Sequence, residues 1–456
     1  MPDNTIREED IYALDFGLVD AVLAAVEEGS QPALLALFED LHEADIADLL
    51  EQISPDERRN LIRLWGDHVD GGVLSELEES VRDEFLAETP DAVLAEVFKD
   101  LDTDDVVYLV EDLEAPQQEI LLGSLDDADR VAVEQSLQYD EDTAGRLMQR
   151  EMVLAPKHWS VGDTIDYMRA SEDLPQDFYD VIVIDQAMHP VGSVPLSRIM
   201  GTSREVPLMD LAHEDFRVIP VGQSEEDVAY AFNQYHMVSA PVVEDSGRLV
   251  GVITIDDAME ILEDQAEEDM NLLAGLQDED LSSRVWKTMK SRFPWLAVNL
   301  FTSILASIVI AQFASTIEAV VALAVLLPIV ASMGGNAGTQ TLTVAVRAIA
   351  TRDLTPANAS RIVWREFLVG VANGIVFAVI IGGVGFVWYG SAMLGVVLGL
   401  AMIGNMMVAG MVGILIPIGL DKLGADPALA SGVFVTTVTD IVGFFAFLGL
   451  ASAMLL

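Results

Sequence analysis

Thr436-Thr437-Val438-Thr439-Asp440-Ile441-Val442-Gly443 lies inside an apolar run that extends from about residue 429 to 455. A helix needs roughly 20 mostly apolar residues to cross the hydrocarbon core of a bilayer. Working back from this run, four more segments meet that requirement, at about 294–316, 319–346, 362–389 and 392–419. The spacing predicts a bundle of five transmembrane helices. Asp440 is the only acid deep in any of these runs, and no base in them is deep enough to be an obvious partner. Burying a carboxylate there costs about 2.5–3.5 kcal/mol on insertion scales. One reading is a neutral acid bonded to a neighbouring helix; the other is a pore or coupling residue. With hydroxyls at Thr436, Thr437 and Thr439 and no base nearby, the lining suits a cation, and hard cations prefer oxygen ligands.

The second run carries Pro328 and then Met333-Gly334-Gly335-Asn336-Ala337-Gly338-Thr339-Gln340-Thr341. Glycines here permit either an unwound stretch lining a cavity or close helix packing, with Asn336 and Gln340 bonding across helices. Arg284, Lys287, Lys290 and Arg292 precede the first run, and Arg347, Arg352, Arg361 and Arg365 fill the loop between the second and third. The 1–2 loop offers only Glu318 and the 3–4 loop no charge. The positive-inside rule then puts the N-terminal region in the cytoplasm of a cell (inner or plasma) membrane and the C-terminus outside. Residues 1–10 are polar and acidic, so no signal peptide is expected and the first span serves as the insertion signal.

The N-terminal region is a strongly acidic head. Of 24 bases and 75 acids, only seven and six lie from Lys290 onward, so almost all of the −51 net charge precedes the membrane region. Such a surface repels nucleic acid and attracts cations; a merely solvated or salt-adapted surface has the same composition. The chain has no cysteine, which removes disulfides, thiolate metal sites and cysteine nucleophiles. No nucleophile–base pair, phosphate loop or histidine cluster stands out among its six scattered histidines, so an enzyme is not expected.

Two internal repeats organise the head. Leu41-His42-Glu43-Ala44-Asp45-Ile46 aligns with Leu101-Asp102-Thr103-Asp104-Asp105-Val106 at an interval of 60, and a half-unit follows at Leu125-Asp126-Asp127. Helical spacing of apolar residues with acids at the starts predicts a small solenoid of short helices over 12–138. The second repeat runs from Val183-Ile184-Asp185 to Val191-Gly192 and again, 59 residues on, from Val242-Val243-Glu244 to Val250-Gly251. Each copy reads as strand, turn, strand and helix, preceded by a helix start at Ser160 or Ser224. This pattern resembles a tandem of CBS domains over about 148–265. In that family the Thr and Asp of Gly251-Val252-Ile253-Thr254-Ile255-Asp256-Asp257 take ribose hydroxyls, so Thr254 and Asp257 are candidate ligands of an adenine nucleotide such as ATP. The first copy has Pro195 and Arg198 at those places, which implies one ribose site at most.

An acidic run, Glu260 to Asp269, follows as a helix toward about Gly275 and then Leu281–Arg292. Together with Glu141-Asp142-Thr143-Ala144-Gly145-Arg146-Leu147-Met148, Pro294-Trp295-Leu296 opening the first span, the glycine-asparagine motif at 334–340 and Thr439-Asp440, this order resembles the MgtE family of magnesium transporters and channels. The resulting fold class is a multi-domain membrane protein. An all-α helical-repeat domain (1–140) is followed by an α/β tandem CBS pair (141–265), an acidic linker helix (266–292) and an α-helical bundle of five spans (293–456). The resemblance implies a homodimer with its pore at the subunit interface, Mg2+ as the ion, and closure by cytosolic Mg2+. It makes Asp440 the main pore carboxylate, with Asn336 and Thr439 beside it and Asp426 at the cytoplasmic mouth. It assigns metal sensing to Asp105, Asp257, Glu260, Glu268 and Asp269; Gln265 stands where the family often has another carboxylate. Two divalent-attracting copies of Asp440 would hold a hydrated ion without stripping it, since Mg2+ dehydrates reluctantly. A different class of function is a proton-coupled secondary transporter of another solute, with Asp440 carrying the proton and the CBS pair as a nucleotide switch. A third is a membrane-anchored sensor that transports nothing.

Overall fold

The computed structural model describes residues 14, 16–276 and 285–456, except 100, 112, 114, 172–173, 176–177, 214–215 and 430. The N-terminal ten residues and the expected helical stretch at 281–284 lie outside the described residues. The chain divides into two compact units, Met1–Asp264 and Gln265–Leu456.

The first unit begins with short helices. The 60-residue repeat shows as a recurring pair: Glu43–Gln52 with Pro55–Trp65, then Thr103–Glu111 with Ala115–Leu122. Ser54 and Glu57 cap the Pro55 helix reciprocally, Ser54 N donating to Glu57 Oε2 at 2.9 Å, and Pro55 sits where its missing N–H costs nothing. One continuous core runs through this region, with Leu34, Leu49, Leu50, Leu61, Phe85, Leu94, Leu109 and Val110 all buried.

Each CBS-like copy is a three-stranded sheet. In the first, β1 (Val153–Pro156) pairs parallel with β2 (Asp180–Ile184), and β2 pairs antiparallel with β3 (Pro190–Pro195). In the second, β4 (Ile219–Pro220), β5 (Ser239–Val243) and β6 (Leu249–Thr254) repeat that order, and a register shift follows β2 and β5 at equivalent places, Val183/Ile184 and Val242/Val243. The sequence pattern contained the hairpins but not β1 and β4, which are too short to show a period of two. The 144–148 segment belongs to the second copy's core: Ala144 and Met148 pack with Ile219, Val228, Phe232 and Ile253. Its amides at Ala144 and Gly145 donate to the carbonyls of Gln223 and Val221.

Among its described residues the second unit contains five helices long and apolar enough to cross a membrane. They are Val285–Ala311, Ala322–Ala350, Ala359–Tyr389, Ala392–Lys422 and Ser431–Leu455, called the first to fifth spans below. Two boundaries differ from expectation. Pro294 does not open the first span but lies inside its helix, which stops at Ala311; a separate short helix, Ala314–Ala319, follows. The second span reaches Ala350 rather than 346, because Arg347 can stay helical while its long stem carries the charge outward. Leu326, Val330, Leu398, Ala401, Phe447 and Leu448 form a core between the second, fourth and fifth spans. The third and fourth touch backbone to backbone: a Cβ on Gly382 would come within 2.9 Å of the Gly395 carbonyl.

Candidate functional site

In the first unit, the helix Thr103–Glu111 and the helix Ile255–Ala274 present carboxylates to one cleft of about 210 Å³. Local sequence explains the aim of each. Thr103 N and Oγ1 both donate to the Glu151 carboxylate, at 3.2 and 2.8 Å, which anchors the N-terminus of the first helix against the segment leading into β1. Asp104 and Asp105 follow at once. On the other side, Thr254 N and Oγ1 donate to Asp257 Oδ2 at 3.1 and 2.8 Å, starting the second helix with Asp257 in its first turn. Asp257, Glu260, Ile261 and Asp264 then fall at three- and four-residue intervals and line the cleft together.

The electrostatic result is a crowd of like charges. Burial pushes the Asp105 carboxyl up to about 7, and Asp257 and Asp102 add to the rise while a Ser75 hydrogen bond opposes it. Glu260, although its side chain reaches solvent, is raised to about 7 by desolvation and then by Asp264, Asp257, Glu76 and Asp105. Desolvation likewise raises Asp257 to about 6 against the pull of its Thr254 bonds, and it raises Asp104 well above the usual carboxylate range, reinforced by Asp257 and Asp105. One base lines the cleft: Arg146 Nη1 pairs with Glu111 Oε2 at 2.7 Å and its Nε donates to the Tyr139 carbonyl. Arg82 lies over the ring of Tyr108, another lining residue, at 4.3 Å.

Of the expected sensor residues, this cleft unites Asp105, Asp257 and Glu260. Glu268 and Asp269 sit further along the second helix, past the end of the first unit, and do not line it. Asp104, Asp264, Glu111 and Arg146 were missed. The repeat held one signal: Asp104 stands where the first copy has Ala44, so its acid is not required by the fold of the unit. Thr254 and Asp257, the candidate ribose ligands, are bonded to each other and start a helix. Among the described residues no three His, Asp or Glu side chains converge into a ready-made metal shell.

In the second unit, the second span is an unbroken helix through Gly334, Gly335 and Gly338. Gly334 and Gly338 serve packing: a Cβ on Gly338 would stand 2.5 Å from Val435 Cγ1, and one on Gly334 would overlap the Asn405 amide. The opposite face of the span exposes Ser332, Asn336, Thr339, Gln340 and Thr343, a polar stripe at helical spacing. Asn336 and Gln340 thus face outward from the single chain rather than bonding to a neighbouring span. Asp440 is half-buried on the fifth span. Thr439, expected along the cation path, is fully buried, and its hydroxyl donates to the Val435 and Thr436 carbonyls of its own helix. Asp426 is exposed before that helix and accepts from Ala428 N at 2.6 Å. Asn405, which the sequence did not single out, is a fully buried amide on the fourth span.

Known proteins with similar sequences fall in one group. A family profile described as a divalent cation transporter, MgtE, matches residues 327–450; the MgtE intracellular N domain matches 41–142 and the CBS domain 208–264. A magnesium transporter MgtE of Enterococcus faecalis is 33% identical over 320 residues, covering 70% of this chain and 71% of that one. The Bacillus subtilis magnesium transporter MgtE is 28% identical, covering 96% and 97%. A crystal structure of the cytosolic domain of the Mg2+ channel MgtE in complex with ATP superposes with a TM-score of 0.49 at 25% identity, covering 53% of this chain and 99% of that one. With its five apolar helices the chain is an integral membrane protein, and it belongs to the MgtE family of magnesium transporters.

Proposed function

We propose that the chain conducts Mg2+ across a cell membrane as a homodimer and is closed by cytosolic Mg2+. The observation that carries the reading is the polar stripe on the second span. Asn336, Thr339 and Gln340 are exposed on a helix long and apolar enough to cross a bilayer. In lipid such groups need water or a protein partner, and a second copy meeting this face would supply both. Asp440 then supplies the one fixed negative charge of the path, with Asn336 as an oxygen and amide lining and Asp426 as an exposed acid at its mouth. Thr439 acts by holding the fifth span against the second. The bases at Lys290, Arg292, Arg347, Arg352, Arg361 and Arg365 set the first unit in the cytoplasm and the C-terminus outside.

Closure follows from the cleft. Without divalent ions the carboxylates of Asp104, Asp105, Asp257, Glu260 and Asp264 repel one another. Mg2+ between them favours the arrangement in which they stay close, and so biases the protein toward that state. Glu268 and Asp269 extend the same acidic helix toward the membrane unit and belong to the sensing set. Thr254 and Asp257 are available to the ribose of an adenine nucleotide such as ATP, since their mutual bond leaves Asp257 Oδ1 and the Thr254 hydroxyl lone pairs free to accept. The two tests are separable. In proteoliposomes, Mg2+ should enter down its electrochemical gradient with no proton gradient, and Asp440→Ala should reduce entry to that of empty vesicles. Entry that requires a proton gradient, or that persists in Asp440→Ala, contradicts the reading.

A further inference from the structure

Asn405 lies near the middle of the fourth span and is fully buried. Its Nδ2 donates to the Val330 carbonyl at 2.8 Å, while its Oδ1 is buried with no hydrogen-bond partner. Two glycines make room for it. A Cβ on Gly334 would overlap the amide, and a Cβ on Gly443 would come within 2.7 Å of Nδ2. Val330 and Gly334 belong to the second span and Gly443 to the fifth. Asn336 is two residues beyond Gly334, and Asp440 is three before Gly443, nearly one helical turn.

We infer that Asn405 is a positioning residue for the cation path: an amide wedge on the fourth span that sets the spacing and rotation of the two helices bearing Asn336 and Asp440. Packing alone does not call for an amide at this place, since a leucine of similar size fills an apolar bundle without leaving a buried acceptor unpaired. The amide adds direction. It holds the carbonyl that a regular helix offers to Gly334 N–H, so it registers the second span at the glycine beneath the polar stripe. The same amide also abuts Gly443, so the fifth span cannot move toward the second without displacing it. Helix spacing at a cation path decides which ions pass, because an ion held through its water shell senses small changes in the distance between its ligands.

This inference rests on the reading of Asp440 given above, and the experiment separates the two. The full chain is reconstituted and Mg2+ and Ca2+ entry are measured in the same vesicles, so that their ratio is independent of the amount of folded protein. Asp440→Ala tests the path itself: entry that survives this change removes the path and the inference with it. If Asp440→Ala abolishes entry, Asn405→Leu is expected to change the Mg2+/Ca2+ ratio severalfold. A fall of both fluxes in equal proportion reduces Asn405 to packing and overturns the inference. Should Asn405→Leu fail to assemble, Gly443→Ala decides. It is expected to shift the ratio in the native background and to lose that effect when combined with Asn405→Ala, which removes the wedge. An effect of Gly443→Ala that is undiminished in the double variant contradicts the wedge.

Discussion

The cleft below Thr103–Glu111 and the interior of the five-span unit both hold carboxylates, and they hold them in opposite ways. The cleft gathers Asp104, Asp105, Asp257, Glu260 and Asp264 around one ion-paired base, Arg146. Each acid is there at the expense of the others. The membrane unit has one acid, Asp440, deep in its apolar spans, and the helices around the path are held by close glycine contacts and a buried amide at Asn405. In the first region the tension is electrostatic, between crowded carboxylates; in the second it is steric, at Gly334, Gly338 and Gly443, where a Cβ would come within 2.7 Å of a neighbouring atom. A device that must respond to an ion is built from repulsion; a device that must present a fixed path is built from packing.

The sharpest way to break this contrast is to add volume to one region and remove charge from the other. Gly338→Leu places a side chain where even a Cβ meets Val435 at 2.5 Å. Overpacking costs about 1–3 kcal/mol for small additions and more for whole side chains against backbone. Size-exclusion chromatography in detergent is expected to show loss of the folded species. Asp105→Asn in the cleft has the opposite sign. At pH 8 without divalent ions it is expected to stabilise the first unit by about 1–3 kcal/mol, after discounting for the water that reaches the site. Thermal unfolding followed by limited proteolysis checks this, and destabilisation would mean that Asp105 is a structural acid.

The pH dependence sharpens the same point. Asp105 and Glu260 are raised to about 7 from ordinary values near 4. Between those values the folded unit binds more protons than the unfolded chain, so its stability falls as pH rises. In metal-free buffer the unit should be most stable near pH 4–5 and lose that stability by pH 8. Millimolar Mg2+ at pH 8 should restore it, since an ion bound by the folded form alone stabilises by mass action. A flat profile from pH 5 to 8 would remove the crowding.

The smallest effect concerns the base in the cleft. Arg146→Gln removes a positive charge and is expected to lower the Mg2+ concentration needed for protection from protease severalfold. Glu111→Gln removes a negative one and should raise it. If the pair is only a tether between the helical repeats and the second CBS-like copy, both changes shift the midpoint the same way.

Much of the fold was legible because its signals are long. Five apolar runs of about 20 residues and two repeats at intervals of 60 and 59 leave little freedom of architecture. The edges of these elements were less so. Val153–Pro156 and Ile219–Pro220 join their sheets by parallel pairing with strands more than 20 residues away, which no local pattern reports. Asp440 was legible because an acid inside an apolar run has few uses. Asp104 was not, since an acid in the first turn of a helix ordinarily needs no reason beyond the helix dipole. Asp264 was hidden in a charge run that reads as a solvated face. Asn405 was hidden for the opposite reason: one amide in a 31-residue apolar helix is unremarkable until the glycines facing it are known.

The central claim is that the membrane unit passes the ion and the acidic cleft senses it. Its most direct test is a Mg2+ titration on the cytosolic side of reconstituted protein during Mg2+ flux, comparing the native chain with Asp105→Asn/Asp257→Asn/Glu260→Gln. The account predicts that flux through the native chain falls as cytosolic Mg2+ rises, while flux through the triple variant stays high across the same range. Superimposable inhibition curves for the two proteins would contradict it.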